Sequence, residues 1–244
     1  MKKAYFNWSS GKDFALALYK VLKEKKIKVD KLVTNMNRDY KRVSMHGLHE
    51  SLLEAQAKSI GIALHKIYFS SNVTMKTYES VMDKEITGLR GKGFYNAIFG
   101  DIFLENLRNY RDLKLKEAGV LGVYPLWKQN TKTLLNEFLS LGFKAITVCV
   151  NAHLLGKEFV GRIIDEDFIN ELPENVDICG ENGEFYTFCF DGPIFSEAID
   201  FEIGEKVLRS YTLNKEEDNC FKKPNQKDKK TYGSKFWYCD LKMR

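Results

Sequence analysis

A lysine beside an aspartate, placed directly after Ser-Ser-Gly, is the arrangement in this chain best suited to chemistry on a phosphate. In Tyr5-Phe6-Asn7-Trp8-Ser9-Ser10-Gly11-Lys12-Asp13-Phe14 an apolar run stops at a small polar turn, then resumes as Phe14, Leu18, Val21 and Leu22 at helical spacing. A strand that turns into a helix in this way aims backbone N–H groups and the positive end of the helix dipole at one point. That favours an anion by roughly 0.3–1 kcal/mol from the dipole alone. Lys12 would add a cation, and Asp13 would cap the helix or hold a magnesium ion. The Walker A spacing, G-x-x-x-x-G-K-[ST], is not met, so a phosphate loop here is of another kind. The same turn also reads as a plain helix cap, and these residues by themselves do not choose between the two.

The elements that must position this turn follow a regular rhythm. Short β-rich runs at 3–8, 31–35, 64–69, 95–100 and 120–127 alternate with stretches at 14–22, 48–60, 75–89 and 104–118 whose apolar residues lie three and four apart. This predicts parallel βαβ units, hence an α/β fold: a parallel sheet with helices on both faces. A helix over 131–141 and a strand over 144–151 add one further unit. Beyond residue 176 come Glu-Asn-Gly-Glu, an alternating run over 185–190, the turn Asp191-Gly192-Pro193 and a β-like run over 198–213. These predict antiparallel hairpins. We therefore expect a nucleotide-binding domain over 1–127 and a smaller α+β domain over 128–244. The latter carries a charged, solvated loop at about 214–234 and a returning strand at 236–239. The apolar stripe over 75–89 is expected to be core packing.

Composition narrows the class. The 244 residues are 44% hydrophobic and 29% charged, as expected of an ordinary soluble globular protein. No apolar run approaches a membrane span, and the short one after Met1-Lys2-Lys3 breaks at Ser9, so a cytoplasmic protein without a signal peptide is expected. The net charge of +5 suits an anionic ligand such as a nucleotide but is too mild for a nucleic-acid surface. Five scattered cysteines, none in a C-x-x-C pair, predict reduced thiols. No G-x-G-x-x-G follows a predicted strand, which ranks a dinucleotide or flavin carrier last.

Trp8-Ser9-Ser10-Gly11-Lys12-Asp13 resembles the S-G-G-x-D-S pyrophosphate loop of the N-type ATP pyrophosphatases, in the adenine nucleotide alpha hydrolase superfamily. Four further stretches resemble the diphthine–ammonia ligase family within that group: Gly100-Asp101-Ile102, Tyr124-Pro125-Leu126-Trp127, Phe159-Val160-Gly161-Arg162, and the block Cys179 to Phe188 followed by Asp191-Gly192-Pro193. The resemblance runs from about residue 3 to residue 212. It implies a PP-loop fold and an enzyme that adenylates a carboxylate with ATP, releases pyrophosphate and lets ammonia displace AMP to form an amide. The implied partners are ATP, Mg2+, ammonia and a carboxylate acceptor, which in the family is diphthine, a modified histidine on translation elongation factor 2. A different carboxylate or amide, or ATP binding without catalysis, stands as the alternative. A homodimer is left open.

Carried over residue by residue, Trp8, Ser9, Ser10, Gly11, Lys12 and Asp13 would embrace the phosphates of ATP, with Gly100 and His46 near the nucleotide. Lys12, Asp13 and Asp101 would be catalytic, the two aspartates positioning the metal. Arg162, Glu181, Asn182 and Glu184 would hold the acceptor. Each has a plainer reading: a turn or cap for Asp101, polar surface for His46, a salt bridge for Arg162, and a solvated hairpin for the acids of the Gly-flanked loop. Two positions depart from the family loop. Ser10 replaces a glycine, tolerable where the backbone needs no positive φ. Phe14 replaces a serine, removing one hydroxyl donor worth about 0.5–1.5 kcal/mol.

Overall fold

The computed structural model describes residues 2–44, 46–211 and 234–244. In chain order its elements are β1 (Lys3–Asn7), α1 (Lys12–Glu24), β2 (Lys28–Asn37), β3 (Arg42–Val43), α2 (Glu50–Ile60), β4 (Leu64–Phe69), α3 (Met75–Gly91), β5 (Phe94–Ile98), α4 (Glu105–Glu117), β6 (Leu121–Val123), α5 (Thr131–Ser140), β7 (Lys144–Asn151), α6 (Glu166–Glu171), β8 (Phe185–Asp191), β9 (Phe201–Tyr211) and β10 (Ser234–Met243). A single 3-10 turn, Lys157–Phe159, precedes α6.

The first sheet runs β3-β2-β1-β5-β6, with β4 also paired to β2. Every pairing in it is parallel except β2 with the two-residue β3. Alternation along the central strands assigns its two faces. Ala4, Phe6, Trp8, Leu32 and Met36 enter one apolar cluster, shared with α1 and α2, while Tyr5 and Val33 enter another, shared with α3 and α4. Helices therefore cover both faces. The stripe over 75–89 buries less than its spacing suggests: on α3 only Ile86 and Leu89 are fully buried.

The second sheet is antiparallel, in the order β8-β7-β10-β9. One expectation fails here. Asp191-Gly192-Pro193 does not close a hairpin, because β8 pairs with β7 and β9 pairs with β10. The chain leaves β8 at Gly192, whose φ of 143° is open to glycine alone, and Phe190 and Phe201 meet edge to face at 5.1 Å on the way to β9. The returning strand is longer than expected and lies inside its sheet. Apart from Ser234, the charged loop expected at 214–234 lies outside the described residues, as does Cys220.

The first apolar cluster is common to both sheets: Phe6, Leu16 and Leu53 belong to it together with Ile146, Val148 and Phe188. The face of the first sheet that carries α1 is thus closed by the second. No helix among the described residues is long and apolar enough to cross a membrane.

Candidate active site

The turn between β1 and α1 starts its helix without a side-chain cap from the N-cap residue, as the start of α4 at Leu104 also does. The N-cap side chains of α2, α3, α5 and α6, namely His49, Thr74, Asn130 and Asp165, each accept a backbone N–H. At α1 the N-cap is Gly11 and no side chain caps the helix. The Lys12 N–H instead donates to Thr187 Oγ1 on β8, at 3.1 Å. A helix start left without a local cap keeps its dipole available to a ligand.

Around it, the hydroxyls of Ser9 and Ser10 are buried with no partner among the described residues. Buried polar atoms are normally satisfied, so two orphaned hydroxyls at a helix start mark a place for a hydrogen-bonding ligand. Ser10 has a φ of 73°, contrary to the condition under which serine would replace glycine without strain. Its carbonyl explains why it stays there, since it accepts from the Cys189 N–H at 2.9 Å and from Gln56 Nε2 at 3.1 Å. Gln56, fully buried on α2, also accepts from the Trp8 indole at 2.9 Å and donates to the Cys189 carbonyl at 2.6 Å. Trp8 is therefore a core residue that positions the turn.

Phe14 points its ring away from this work. It meets Phe6 edge to face at 6.3 Å, and a Cβ on Gly100 would fall 2.9 Å from Phe14 Cγ. Gly100 is bare because the Phe14 ring needs its space.

Lys12 is 1% exposed. Its Nζ donates to both oxygens of Asp13, at 2.8 and 2.7 Å, and to the Cys179 carbonyl at 2.5 Å. Burial alone would lower its pKa, but the neighbouring Asp13 carboxylate outweighs that, and the net direction is upward. Burial pushes the Asp13 carboxyl up against the pull of Lys12. Asp13 thus pairs with Lys12.

Glu181 reaches back across the site. Its Oε1 accepts from the N–H groups of Ile102, at 2.8 Å, and Phe103, at 3.3 Å, on the turn that follows β5. Burial pushes this carboxyl up to about 7; those two donors oppose the rise, and Asp13 and Asp101 add to it. Glu181 therefore feels carboxylates from two other segments. Asp101, also buried, is bonded to Arg111. Glu184 is 3% exposed; its Oε1 accepts from the Asp177 N–H at 3.1 Å and from Asn182 at 3.0 Å, and its Oε2 is buried without a partner among the described residues. The acids of this loop are built into the interior, unlike a solvated hairpin.

His46 is no surface residue either. Burial pushes its imidazole down to about 4, partly offset by a bond to the Thr187 backbone. Its ring lies 4.9 Å from that of Tyr186. Arg162 stands apart. Its guanidinium forks onto Glu171 at 2.5 and 3.2 Å, so the structure does not bring its charge to the turn. The first sheet, β8 and the 177–184 loop thus gather Ser9, Ser10, Lys12, Asp13, Asp101, His46, Glu181 and Glu184. Among the described residues no three His, Cys, Asp or Glu stand close enough to hold a metal ion.

Two family profiles match the chain. A family profile described as the diphthamide synthase N-terminal domain matches residues 1–121, and one described as its C-terminal domain matches residues 130–216. The chain belongs to the diphthine–ammonia ligase family. The diphthine–ammonia ligase of Danio rerio is 37% identical over 90 residues, covering 35% of this chain and 35% of that protein. That of Homo sapiens is 34% identical over 90 residues, 35% and 34% of the two chains. The matched stretch thus spans about a third of these relatives' length. Among solved structures, a predicted subunit of tRNA methyltransferase from Methanocaldococcus jannaschii shares 17% identity over 60% of this chain and 80% of that one, with a TM-score of 0.43. A U34-tRNA thiolase from Methanococcus maripaludis shares 19% over 57% of each, with a TM-score of 0.35. The strand order above, and not these likenesses, defines the family member's fold.

Sequence reasoning missed Gln56, Thr187 and Asp177, which hold the turn and the acidic loop in place. Gln56 had a signal: a neutral polar residue on the apolar stripe of α2, where Leu52, Leu53 and Ala57 are buried around it. Thr187 had none, since its partner Lys12 lies far away in sequence, whereas Asp177 works within its own loop, accepting from the Cys179 and Glu181 N–H groups at 2.9 and 3.3 Å.

Proposed function

We propose that this chain is an ATP-dependent ligase that joins ammonia to a carboxylate. A carboxylate oxygen attacks the α-phosphorus of ATP, the bond between the α and β phosphates breaks, and pyrophosphate leaves. Ammonia then attacks the acyl carbon, AMP departs with its oxygen, and the nitrogen loses a proton to give the amide. The observation that carries this reading is the uncapped start of α1, with the orphaned hydroxyls of Ser9 and Ser10 and the buried Lys12 beside it. These donors suit the β and γ phosphates and the charge that grows on them as pyrophosphate leaves.

In this reading residues 1–127 bind the nucleotide, and residues 128–244 bring Glu181 and Glu184 to the acceptor side. Glu184 Oε2 and Glu181 face the ammonia and acceptor side, and diphthine, named in the family's relatives, is the acceptor class to try first. Asp13 and Asp101 are hard oxygen donors, as Mg2+ requires, but each is paired with a cation, so the ion would arrive on the phosphates and supply charge neutralisation there. Arg162 does not belong to this site.

Incubation with ATP, magnesium, ammonia and a panel of carboxylates should release AMP and pyrophosphate; release of ADP and phosphate would sink the reading. Lys12→Ala should cut turnover by at least about 100-fold, the scale of losing a positioned charge on the transferring phosphates. Glu184→Ala should leave ATP binding in place and impair use of the acceptor, as measured by separate titrations of each.

A further inference from the structure

A second organised group of side chains lies on the same edge of the first sheet as the uncapped turn. The parallel strands β1, β5 and β6 are neighbours, so the segments that follow them, 8–11, 99–104 and 124–130, leave the sheet on one side. Ligands of open α/β sheets bind at that carboxyl edge. There the rings of Phe99 and Tyr124 stack at 5.2 Å with 15° between their planes. The Arg108 guanidinium lies 4.5 Å from the Tyr124 ring and 4.4 Å from the Trp127 ring. Its Nε is tethered to Asp112 at 3.3 Å, and Asp112 is fixed in turn by the Tyr124 hydroxyl at 2.9 Å.

Two features separate this from an ordinary surface ion pair. Arg108 is the fourth residue of α4, where a cation opposes the helix dipole. Both its Nη groups are without a partner among the described residues, although the plane of the guanidinium is held by two rings and a tether. A guanidinium so held presents a rigid two-pronged donor whose shape matches a carboxylate. The group connects to the site through Ile102, whose N–H meets Glu181 and whose carbonyl accepts from the Lys128 N–H at 2.7 Å, next to Trp127.

We propose that Arg108, held against the adjacent rings of Tyr124 and Trp127, binds the carboxylate of the acceptor. This rests on the ligase reading for the identity of the anion, because the phosphates already have Ser9, Ser10 and Lys12. The alternative source of an oxyanion, ATP itself, is distinguished by the test.

The full-length protein, labelled with 15N arginine, would be titrated with acetate, hippurate and Nα-acetylhistidine. A separate titration would use magnesium and an ATP analogue with a methylene bridge between its α and β phosphates. The Arg108 Nε–Hε signal, assigned by its absence from Arg108→Lys, should move with a carboxylate and stay still with the nucleotide alone. In turnover, Arg108→Gln should raise the acceptor KM by about 10- to 100-fold and leave the ATP KM within about twofold, with Arg108→Lys only partly restoring it. Movement with nucleotide alone, or a raised ATP KM, would make Arg108 a phosphate ligand and overturn the proposal. Silence toward every carboxylate would overturn it as well. A carboxylate response in a protein that releases no AMP would leave the carboxylate site standing and remove the ligase reading. AMP release with an unchanged acceptor KM in Arg108→Gln would do the reverse.

Discussion

At the scale of the residue, Ser10 holds the clearest conflict between local preference and tertiary demand. Its φ of 73° costs a side chain about 1–2 kcal/mol, and its hydroxyl is buried without a partner among the described residues. Two donors on its carbonyl, from Gln56 and Cys189, keep it there. Ser10→Gly would relieve the strain and the orphaned hydroxyl, against about 0.5–1 kcal/mol of extra chain entropy. We expect the ligand-free protein to gain up to about 1 kcal/mol, raising Tm by about 2–4 °C in calorimetry. A lower Tm would mean that the hydroxyl already has a stabilising partner. The departure at Phe14 is of another kind. Its ring fills the room left by Gly100, and the phosphate donors that remain are those of the turn itself.

At the scale of the element, α2 acts on the loop through one side chain. Gln56 bonds to Trp8, Ser10 and Cys189 at once, so it ties the end of β1, the turn and β8 together. Gln56→Leu would take this partner from the Trp8 indole and the Cys189 carbonyl in the interior and leave the Ser10 carbonyl with one of its two donors. A loss of about 2–4 kcal/mol is expected in urea denaturation, together with weaker ATP binding as the turn loosens. Strands were legible where the apolar run and the burial coincide: 64–69 and 144–151 were read with the bounds that β4 and β7 have. The run at 120–127 misled. Only Leu121–Val123 pairs as strand, because Tyr124 and Trp127 turn aside to stack on Arg108. β3 was missed because two residues carry no period. The acidic loop was visible as a motif, but the burial of Glu181 was not, since the N–H groups that satisfy it come from Ile102 and Phe103, remote in sequence.

At the scale of the whole molecule, two buried titrating groups set opposing pH slopes. Glu181 is raised from 4.5 to about 7, so its contribution to stability is present below 4.5 and lost as pH rises through 7. His46 is lowered from 6.5 to about 4, so its contribution is present above 6.5 and lost as pH falls through 4. Between 4.5 and 6.5 the two partly cancel. Glu181→Gln should keep the acceptor for Ile102 and remove the first slope. The variant should exceed the parent by about 1–2 kcal/mol near pH 8, with a steeper fall toward pH 5, in denaturation series at each pH. An unchanged difference across that range would place Glu181 in solvent. The strand order β8-β7-β10-β9 has a further consequence, for synthesis. β10 pairs with strands on both sides, yet it is the last of them to leave the ribosome. Until residues 234–243 emerge, one edge of β7 and all of β9 lack their ladder, and the nascent chain carries exposed templates for intermolecular pairing. The hazard is confined to that interval and should show as chaperone-dependent yield.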